Sequence, residues 1–168
     1  TFACSGNIVD NSSFNTGLNQ WNDWGNAYNV TNSGTGNNAA RITTGEGGFG
    51  QYHSLGNVSG QTFTMTCDVK QFNVYNWMGI GIEFYDANWN LLGQHWPSVN
   101  PSNSWQQFNV SGVAPAGTYI VQVGFWKEYG GDMYVDDVCL TSNGSGSSIG
   151  SCNNITYAGT IGSNQTVC

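Results

Sequence analysis

Apolar and polar residues alternate along much of the chain with the period of two that is typical of β-strands. In the segment TFTMTCDVK, Phe63, Met65, Cys67 and Val69 share one face, and the residues between them are polar or charged. Such segments recur with turn-forming residues between them, at residues 7–11, 27–31, 39–43, 50–55, 62–72, 77–87, 91–96, 105–111, 118–128 and 132–141. This spacing predicts an all-β sandwich or jelly roll.

The segment WMGIGIEFYDA has one apolar face and one unusual face. Its apolar face is predicted to close the core and consists of Met78, Ile80, Ile82 and Phe84. The opposite face consists of Trp77, Gly79, Gly81, Glu83 and Tyr85. Because this second row is neither apolar nor an ordinary charged surface, it is a candidate functional face.

The segment YIVQVGFWKE is divided in the same way. Its inward row is predicted to be Tyr119, Val121, Val123 and Phe125. Its outward row is predicted to be Ile120, Gln122, Gly124, Trp126 and Glu128, which again combines a tryptophan, a glycine and hydrogen-bonding groups. Two strands of the predicted sandwich therefore carry the same kind of outer surface.

Composition favours strands and argues against several partners. Charged residues make up 8% of the 168 residues, with three basic against ten acidic side chains. Nucleic acids and anionic membranes need clustered Lys and Arg, so neither is expected as a partner. No segment approaches the roughly 18 consecutive apolar residues of a membrane span. The abundance of Gly, Asn, Ser, Thr and aromatic residues suits short strands joined by turns.

Five cysteines indicate a secreted protein, because disulfides persist in oxidising compartments. Cys67 lies on the inward face of its strand and is predicted to be a buried free thiol. Cys139 lies on the face opposite Val138 and Leu140. We expect it to pair with Cys4 if the first and last strands are neighbours, and pairing with Cys67 is the alternative.

The composition changes after residue 141. Residues 142–151, SNGSGSSIGS, have the composition of a flexible linker. Residues 152–168 contain their own cysteine pair, Cys152 and Cys168, which we expect to be bridged. We interpret residues 1–141 as the main domain and residues 152–168 as the truncated start of a following module or as a tail.

Three segments carry a family resemblance. Residues 7–21, NIVDNSSFNTGLNQW, follow the pattern N-x-x-x-N-x-x-F-E-x-G-x-x-x-W except that Asn15 replaces the Glu. The second segment consists of EFYDANWNLL and WQQFNVSGVAPAGTYIVQVGF, and the third is YVDDVCL. The three segments occur in the order found in the family. Together they resemble carbohydrate-binding modules of families 4, 9, 16 and 22. The resemblance implies a β-jelly roll of two antiparallel sheets, one convex and one concave. It also implies a non-catalytic, glycan-binding role beside a polysaccharide-degrading enzyme.

The resemblance also implies a structural Ca²⁺, which is bound in proteins by six to eight oxygen ligands. Asp136, the first acid of YVDDV, matches the ligand position of the family, and Glu46 and a carbonyl of Ser13 are further candidates. Asn15 can still provide an amide oxygen, but one negative charge is lost and the affinity should fall. The alternative is that Asp136 only caps a turn through hydrogen bonds.

The outward rows contain the groups that a sugar needs. Aromatic rings contact the apolar C–H patch of a pyranose, and amides or carboxylates bond its hydroxyls. The predicted glycan-binding residues are Trp77, Glu83, Tyr85, Gln94, Trp96, Gln122 and Trp126, with His95 as an alternative to Trp96. Gly79 and Gly81 are expected to form the floor of a groove. The shortage of basic residues favours a neutral polysaccharide as the ligand. The protein is expected to be a monomer.

Other tryptophans are interpreted differently. Trp21 and Trp105 are expected to pack against the domain, and Trp89 to be an exposed aromatic residue at a loop tip. Two further functions remain open: a structural or adhesive spacer with the same fold, and a polysaccharide lyase that uses the QYH triplet at residues 51–53. The sequence lacks the arginine-bearing motif and the Tyr-X-Lys strand that such lyases carry. A hydrolase would need two carboxylates, and Glu83 has no obvious partner.

Overall fold

A computed structural model describes residues 4–30 and 38–144 of the chain. These residues contain strands and no α-helix. The strands are β1 (Asn22–Val30), β2 (Ala39–Ser54), β3 (Thr62–Phe72), β4 (Met78–Tyr85), β5 (Leu91–His95), β6 (Gln106–Val113), β7 (Ile120–Lys127) and β8 (Asp132–Ser142). The all-β prediction is therefore confirmed, and the described part of the chain contains no helix that could span a membrane.

The strands form two antiparallel sheets that share β2. Residues 47–54 of β2 pair with β7, whereas residues 40–42 pair with β8. The first sheet has the strand order β5-β4-β7-β2-β1, and the second has the order β6-β3-β8-β2. The two layers make a sandwich, as the jelly-roll prediction required.

The core lies between the sheets and follows the alternation seen in the sequence. Phe63, Met65, Cys67 and Val69 are fully buried, as is the predicted inward row of β4 apart from a 2% exposure of Met78. At one end of the core, four aromatic rings pack together, and their centroids lie 4.9–6.1 Å apart. They belong to Phe14, Trp21, Phe49 and Phe125. Trp21 therefore packs in the core, whereas Tyr119, predicted to face inward, is 40% exposed.

Two elements differ from the sequence prediction. The stretch TTGEGGFG was expected to be a loop between two strands, but it lies inside the single 16-residue strand β2. Its partner β1 starts at Asn22, earlier than predicted, and its register shifts between Gly25 and Ala27. Such an irregularity lets a paired strand bend and continue from one layer into the other.

Residues 7–11, predicted as a strand, are held beside β8 without forming a regular strand. The Ile8 amide donates to the Leu140 carbonyl at 2.8 Å. The Asn7 side chain donates to the Val138 carbonyl and accepts from the Leu140 amide. The first and last segments of the domain are therefore neighbours.

This neighbourhood allows the predicted disulfide to form. Cys4 is bonded to Cys139 across a sequence separation of 135 residues. Cys67 is a free, buried cysteine, and burial raises the pKa of its thiol. Both predictions are confirmed, while Cys152 and Cys168 lie outside the described residues.

Lys127 ends β7 with its side chain completely buried. Its Nζ donates to the carbonyl oxygens of Gly45 at 2.6 Å, Glu128 at 2.9 Å and Gly130 at 3.2 Å. Burial lowers the pKa of the ammonium, and the charge of Asp132 opposes that effect. Lys127 thus satisfies three carbonyls inside the domain and contributes no charge to its surface.

Candidate functional site

The outer face of the first sheet consists of rows of residues paired across neighbouring strands. The first row is Trp24, Gly48, Trp126 and Gly79, the second is Asn22, Gly50, Gly124 and Gly81, and the third is Tyr52, Gln122, Glu83 and Gln94. The rows run across the strands from β1 or β2 to β4 or β5. Gly50, Gly124 and Gly81 lie side by side in the second row on the neighbouring strands β2, β7 and β4, so no side chain of their own stands between the sheet and what packs on it.

Tryptophan rings cover these glycines. A methyl group added at Gly81 would lie 2.2 Å from Cδ2 of Trp96, and one at Gly124 would lie 2.8 Å from Cη2 of the same ring. The Trp96 indole therefore lies flat across β4 and β7. A methyl group added at Gly79 would lie 2.3 Å from the Trp77 ring. One at Gly48 would lie 2.7 Å from the Trp126 ring, and one at Gly50 would lie 2.6 Å from the Trp24 ring.

We call the four residues Trp24, Trp77, Trp96 and Trp126 the tryptophan platform. The expectation that Gly79 and Gly81 form an open groove floor is wrong, because the rings of Trp77 and Trp96 occupy the space above them. The glycines instead let the indoles approach the sheet closely. What a ligand would meet is the outer surface of these rings.

Glu83 sits beside the platform and accepts hydrogen bonds from three side chains. Its Oε1 accepts from Nε1 of Trp96 at 2.9 Å. Its Oε2 accepts from Nε2 of Gln122 at 3.1 Å and from the hydroxyl of Tyr85. Burial, together with this bond to Glu83, raises the pKa of Tyr85. A carboxylate has about four acceptor sites, so Glu83 fixes the Trp96 ring and keeps about one site for a ligand.

A second aromatic group lies at the end of the face near the β4–β5 turn. Trp89 is 48% exposed, and its ring contacts Tyr52 edge-on at 4.8 Å and Tyr85 at 5.7 Å. Asp86 Oδ1 accepts from the amides of Asn88 and Asn90 and holds the turn that presents Trp89. Trp89 is thus an exposed aromatic residue at a loop tip, as the sequence suggested.

The structure brings the predicted glycan-binding residues to one face. They are Trp77, Glu83, Tyr85, Gln94, Trp96, Gln122 and Trp126. His95, the alternative to Trp96, instead pairs with Ile82, and its ring packs edge-on against Phe84 at 6.3 Å.

Two members of the face were not predicted from the sequence. Trp24 lies on β1, which was expected to begin only at residue 27, so it was not assigned to any face. Tyr52 was considered only as part of the QYH triplet. The period of two could have placed Tyr52 on the outer face, because Phe49 and Gln51 are buried on the opposite side. That inference requires the correct strand boundaries.

Gln51 does not face the platform. It is 3% exposed, and its side chain accepts from the Asp10 amide at 2.8 Å and donates to the carbonyls of Asp10 and Gln20. A lyase that used the Gln51 amide to bind substrate would need this group to be accessible. The arrangement therefore removes the sequence feature that had suggested a lyase.

None of the three basic residues of the chain lies on the platform. Arg41 is paired with Asp132 at 2.9 Å. Lys70 lies 4.7 Å from the centre of the Trp105 ring and 5.1 Å from that of Tyr134, on the second sheet. Lys127 is buried. Glu83 contributes a carboxylate in the third row, and the exposed Glu128 lies beside Trp77, whose carbonyl accepts from the Glu128 amide at 2.9 Å.

The candidate calcium ligands fall into two places. Asp136 is fully buried, and its neighbour Asp137 accepts a hydrogen bond from the Ser13 hydroxyl at 2.8 Å. The Asn15 carbonyl accepts from Asn38 at 3.3 Å, on the residue that precedes β2. Glu46 lies in β2 just before Gly47, where the register with β1 shifts.

Within the described residues, no three His, Cys, Asp or Glu side chains converge on one point. Asp136 and the loop of Ser13 and Asn15 therefore offer one carboxylate supplemented by amide and carbonyl oxygens. That donor set is of the oxygen type that Ca²⁺ takes, with fewer charges than a site that contains two carboxylates.

Solved structures with the same architecture are known. A family 16 carbohydrate-binding module has a TM-score of 0.65 at 20% identity, covering 80% of this chain and 99% of that one. The chain has the fold of a carbohydrate-binding module. Families 4, 16 and 22, which the sequence resembled, are all among the similar structures, and so is family 61.

Two other similar structures are parts of longer proteins. The CBM22-1–GH10 modules of Clostridium thermocellum endo-1,4-β-D-xylanase 10B, complexed with xylohexaose, have a TM-score of 0.64 at 13% identity, covering 82% of this chain and 29% of that one. The enzymatically active domain of bacteriophage CBA120 tailspike protein 4 has a TM-score of 0.67 at 16% identity, covering 81% and 21%. No protein-family model and no curated protein matches the sequence.

The contact between Gly81 and Trp96 gives a sharp test of how this module fold presents its platform. Gly81→Ala should lift the Trp96 ring, since the methyl group would lie 2.2–2.6 Å from three ring atoms, all in that side chain. We expect affinity for any platform ligand to fall by about tenfold or more, and the free energy of unfolding to fall by about 1–3 kcal/mol, the usual cost of overpacking.

The matched control is Gly93→Ala on β5, where the nearest contact of the new methyl group is Pro115 Cγ at 3.1 Å. Affinity electrophoresis and thermal denaturation of the two variants provide the comparison. Equal affinities for Gly81→Ala and Gly93→Ala would show that the position of Trp96 does not matter for binding.

Proposed function

We propose that residues 1–141 form a non-catalytic module that binds a neutral polysaccharide on the tryptophan platform. The observation that carries the proposal is the Trp96 ring, which lies flat across two strands and is fixed by Glu83. A flat, rigid aromatic surface loses little conformational entropy when a sugar ring stacks on it. An indole fixed before binding is the surface that such stacking requires.

Several hydrogen-bonding groups surround the rings. Gln122 and Gln94 flank Glu83 in the same row, and Glu83 keeps about one acceptor site. These amides and the carboxylate would bond the hydroxyls of a sugar that stacks on Trp96. The combination of ring surface with amide and carboxylate groups favours a saccharide over a purely apolar ligand.

The charges favour a neutral glycan. Glu83 would repel uronate or sulfate groups, and the basic side chains are all elsewhere. Two structural neighbours were solved with neutral sugars: the family 61 module with β-1,4-galactotriose and the xylanase fragment with xylohexaose. We extend only the general class, a neutral polysaccharide chain, to this protein.

The direction of the rows favours a binding site that runs across the strands. The platform residues come from β1 and β7 and from the segments that precede β4 and follow β5. A chain lying across these strands would meet the rings of Trp24 and Trp96 over the second row, with those of Trp126 and Trp77 over the first row beside them. We therefore propose that single polysaccharide chains bind along this face.

We further propose that the module is secreted and appended to a polysaccharide-degrading enzyme. The Cys4–Cys139 disulfide supports an oxidising compartment. In the xylanase fragment, the similar part makes up 29% of the solved chain. The assignment of residues 142–168 as a linker followed by a further module or tail remains a prediction from the sequence.

Affinity electrophoresis in gels that contain soluble xylan, mannan, β-glucan or galactan tests the proposal directly. Retardation in at least one of them, lost when platform residues are replaced, is the expected result. A protein that no glycan retards would instead fit a structural spacer. Reducing-end or unsaturated products released from these polymers would identify an enzyme.

We also propose a structural calcium ion at Asp136, with oxygen atoms of Ser13 and Asn15 as further ligands. The Asp136 carboxylate is fully buried, where a positive charge offsets the cost of desolvation, and its Oδ1 also accepts from the Asp137 amide at 2.8 Å. The bound ion would tie the N-terminal loop to β8, where the Val138 amide already donates to the Ser12 carbonyl at 2.9 Å. Glu46 is left out of this site.

Calcium should raise the melting temperature by roughly 5–10 °C when it is present at about one hundred times its dissociation constant. Differential scanning calorimetry in CaCl₂ and in EGTA measures this shift. Asp136→Asn should abolish it, whereas Glu46→Gln should keep it. The same melting temperature in CaCl₂ and EGTA would refute the site.

A further inference from the structure

A pocket of about 380 Å³ opens at the edge of the first sheet, beside the platform. It is lined by Asp10, Gln20, Trp21, Asn22, Gln51, Tyr52 and His53. Its volume lies at the lower end of the range of about 300–1,000 Å³ that is common for small-molecule sites. We call it the edge pocket.

The edge pocket exists because β1 starts late relative to β2. The first residue of β1, Asn22, pairs with Gly50, so residues 51–54 of β2 have β7 on one side and no strand of the described chain on the other. The Gln51 side chain holds the Asp10 and Gln20 backbones beside this open edge with bonds of 2.8–3.2 Å. The walls are therefore fixed by hydrogen bonds.

The lining is polar and contains one unsatisfied group. Within the described part of the chain, Nε2 of His53 is buried and has no hydrogen-bond partner. Burial lowers the pKa of His53, and the charge of Asp10 opposes this. The pocket thus combines a neutral imidazole with an exposed carboxylate and the amide side chains of Gln20 and Asn22. Such a set of donors and acceptors suits a ligand with several hydroxyls.

The pocket is continuous with the glycan-binding face through Tyr52. Tyr52 lines the pocket, pairs with Gln122 in the third row, and contacts Trp89 with its ring. Asn22 likewise lines the pocket and belongs to the second row beside Gly50. A saccharide on the platform can therefore extend past Tyr52 into the pocket.

We propose that the edge pocket binds a non-reducing terminal sugar unit of the glycan that lies on the platform. This inference rests on the proposed function and adds a specificity-determining subsite to it. A terminal unit fits because the pocket is small and closed on its inner side by Trp21 and Gln51, both nearly buried. Asp10 selects a neutral sugar, whose hydroxyls donate to its carboxylate, against an acidic one.

A terminal unit has two possible sources, the end of a main chain or a single-sugar branch. Both present the same unsubstituted hydroxyls to Asp10. The sources differ in which ligands gain affinity from the pocket. Titration calorimetry with paired probes separates them: xylohexaose with an arabinose-branched xylohexaose, and mannohexaose with a galactose-branched mannohexaose.

The test compares Asp10→Ala with Asp23→Ala, which removes an exposed acidic side chain outside the pocket. We expect Asp10→Ala to weaken at least one probe by about tenfold or more, the typical effect of losing a hydrogen bond to a charged group, and Asp23→Ala to have no effect. A loss confined to branched probes assigns the pocket to a branch. A loss for linear hexaoses that is absent for long linear polymers assigns it to a chain end.

Other outcomes overturn the inference. If Asp10→Ala and Asp23→Ala bind every probe as the unaltered protein does, while platform variants lose binding, the pocket is not a subsite and the proposed function stands. If the unaltered protein binds no glycan at all, both proposals fall. Thermal denaturation of Asp10→Ala checks that its backbone bonds to Gln51 are kept.

Discussion

Trp96→Ala should weaken binding to a soluble neutral polysaccharide by at least about 30-fold, equivalent to about 2 kcal/mol. The substitution removes a ring that spans Gly81 and Gly124 and the donor that orients Glu83. Trp96→Phe should give an intermediate loss, because a flat ring remains while the bond from Nε1 to Glu83 is lost. Affinity electrophoresis gives the ranking, and calorimetry gives the magnitudes.

The matched control is Trp105→Ala on the second sheet, where the indole contacts Lys70. This variant also loses a partly exposed tryptophan but should keep full affinity. Circular dichroism melting of all three variants separates loss of binding from loss of fold. If Trp105→Ala and Trp96→Ala weaken binding equally, the binding face has been assigned to the wrong sheet.

Loss of the Cys4–Cys139 disulfide should lower the free energy of unfolding by roughly 5 kcal/mol. The bond closes a loop of 135 residues, and closing a long loop restricts the unfolded chain strongly. For a domain of this size, the melting temperature should fall by about 10–20 °C. Thermal denaturation of the Cys4→Ser/Cys139→Ser variant under oxidising conditions measures the effect.

Reductant provides the control for this prediction. Dithiothreitol should lower the melting temperature of the unaltered protein by a similar amount and leave that of the double variant unchanged. A further decrease in the double variant would locate part of the stabilisation in another disulfide. The prediction would be contradicted if dithiothreitol left the melting temperature of the unaltered protein unchanged and the double variant melted at that same temperature.

Much of the fold follows from alternation in the sequence. β3 is observed with the predicted bounds, and β4, β7 and β8 differ from prediction by at most two residues at each end. Their inner rows are strongly apolar, so a one-residue slip would expose the core. β1 and β2 were harder, because Gly and Thr in TTGEGGFG are typical of loops. Residues 47–50 of this stretch nevertheless pair with both β1 and β7, and the strand continues through it.

The candidate calcium ligands show the same limit. Ser13 and Asp137, the neighbour of Asp136, are far apart in sequence, yet the Ser13 hydroxyl donates to the Asp137 carboxylate in β8. Glu46 was chosen as a ligand of a predicted loop, TTGEGGFG, whereas the structure places it in β2.

The outer faces of β4 and β7 were determined by the sequence alone, because the period of two assigns Glu83, Tyr85, Gln122 and Trp126 to the side opposite the core. The position of the tryptophan rings was decided only by the tertiary structure. Trp77 precedes β4 and Trp96 follows β5, so no strand period fixes their direction. The strand order places glycines of neighbouring strands side by side, and only that surface lets the rings lie flat against the sheet.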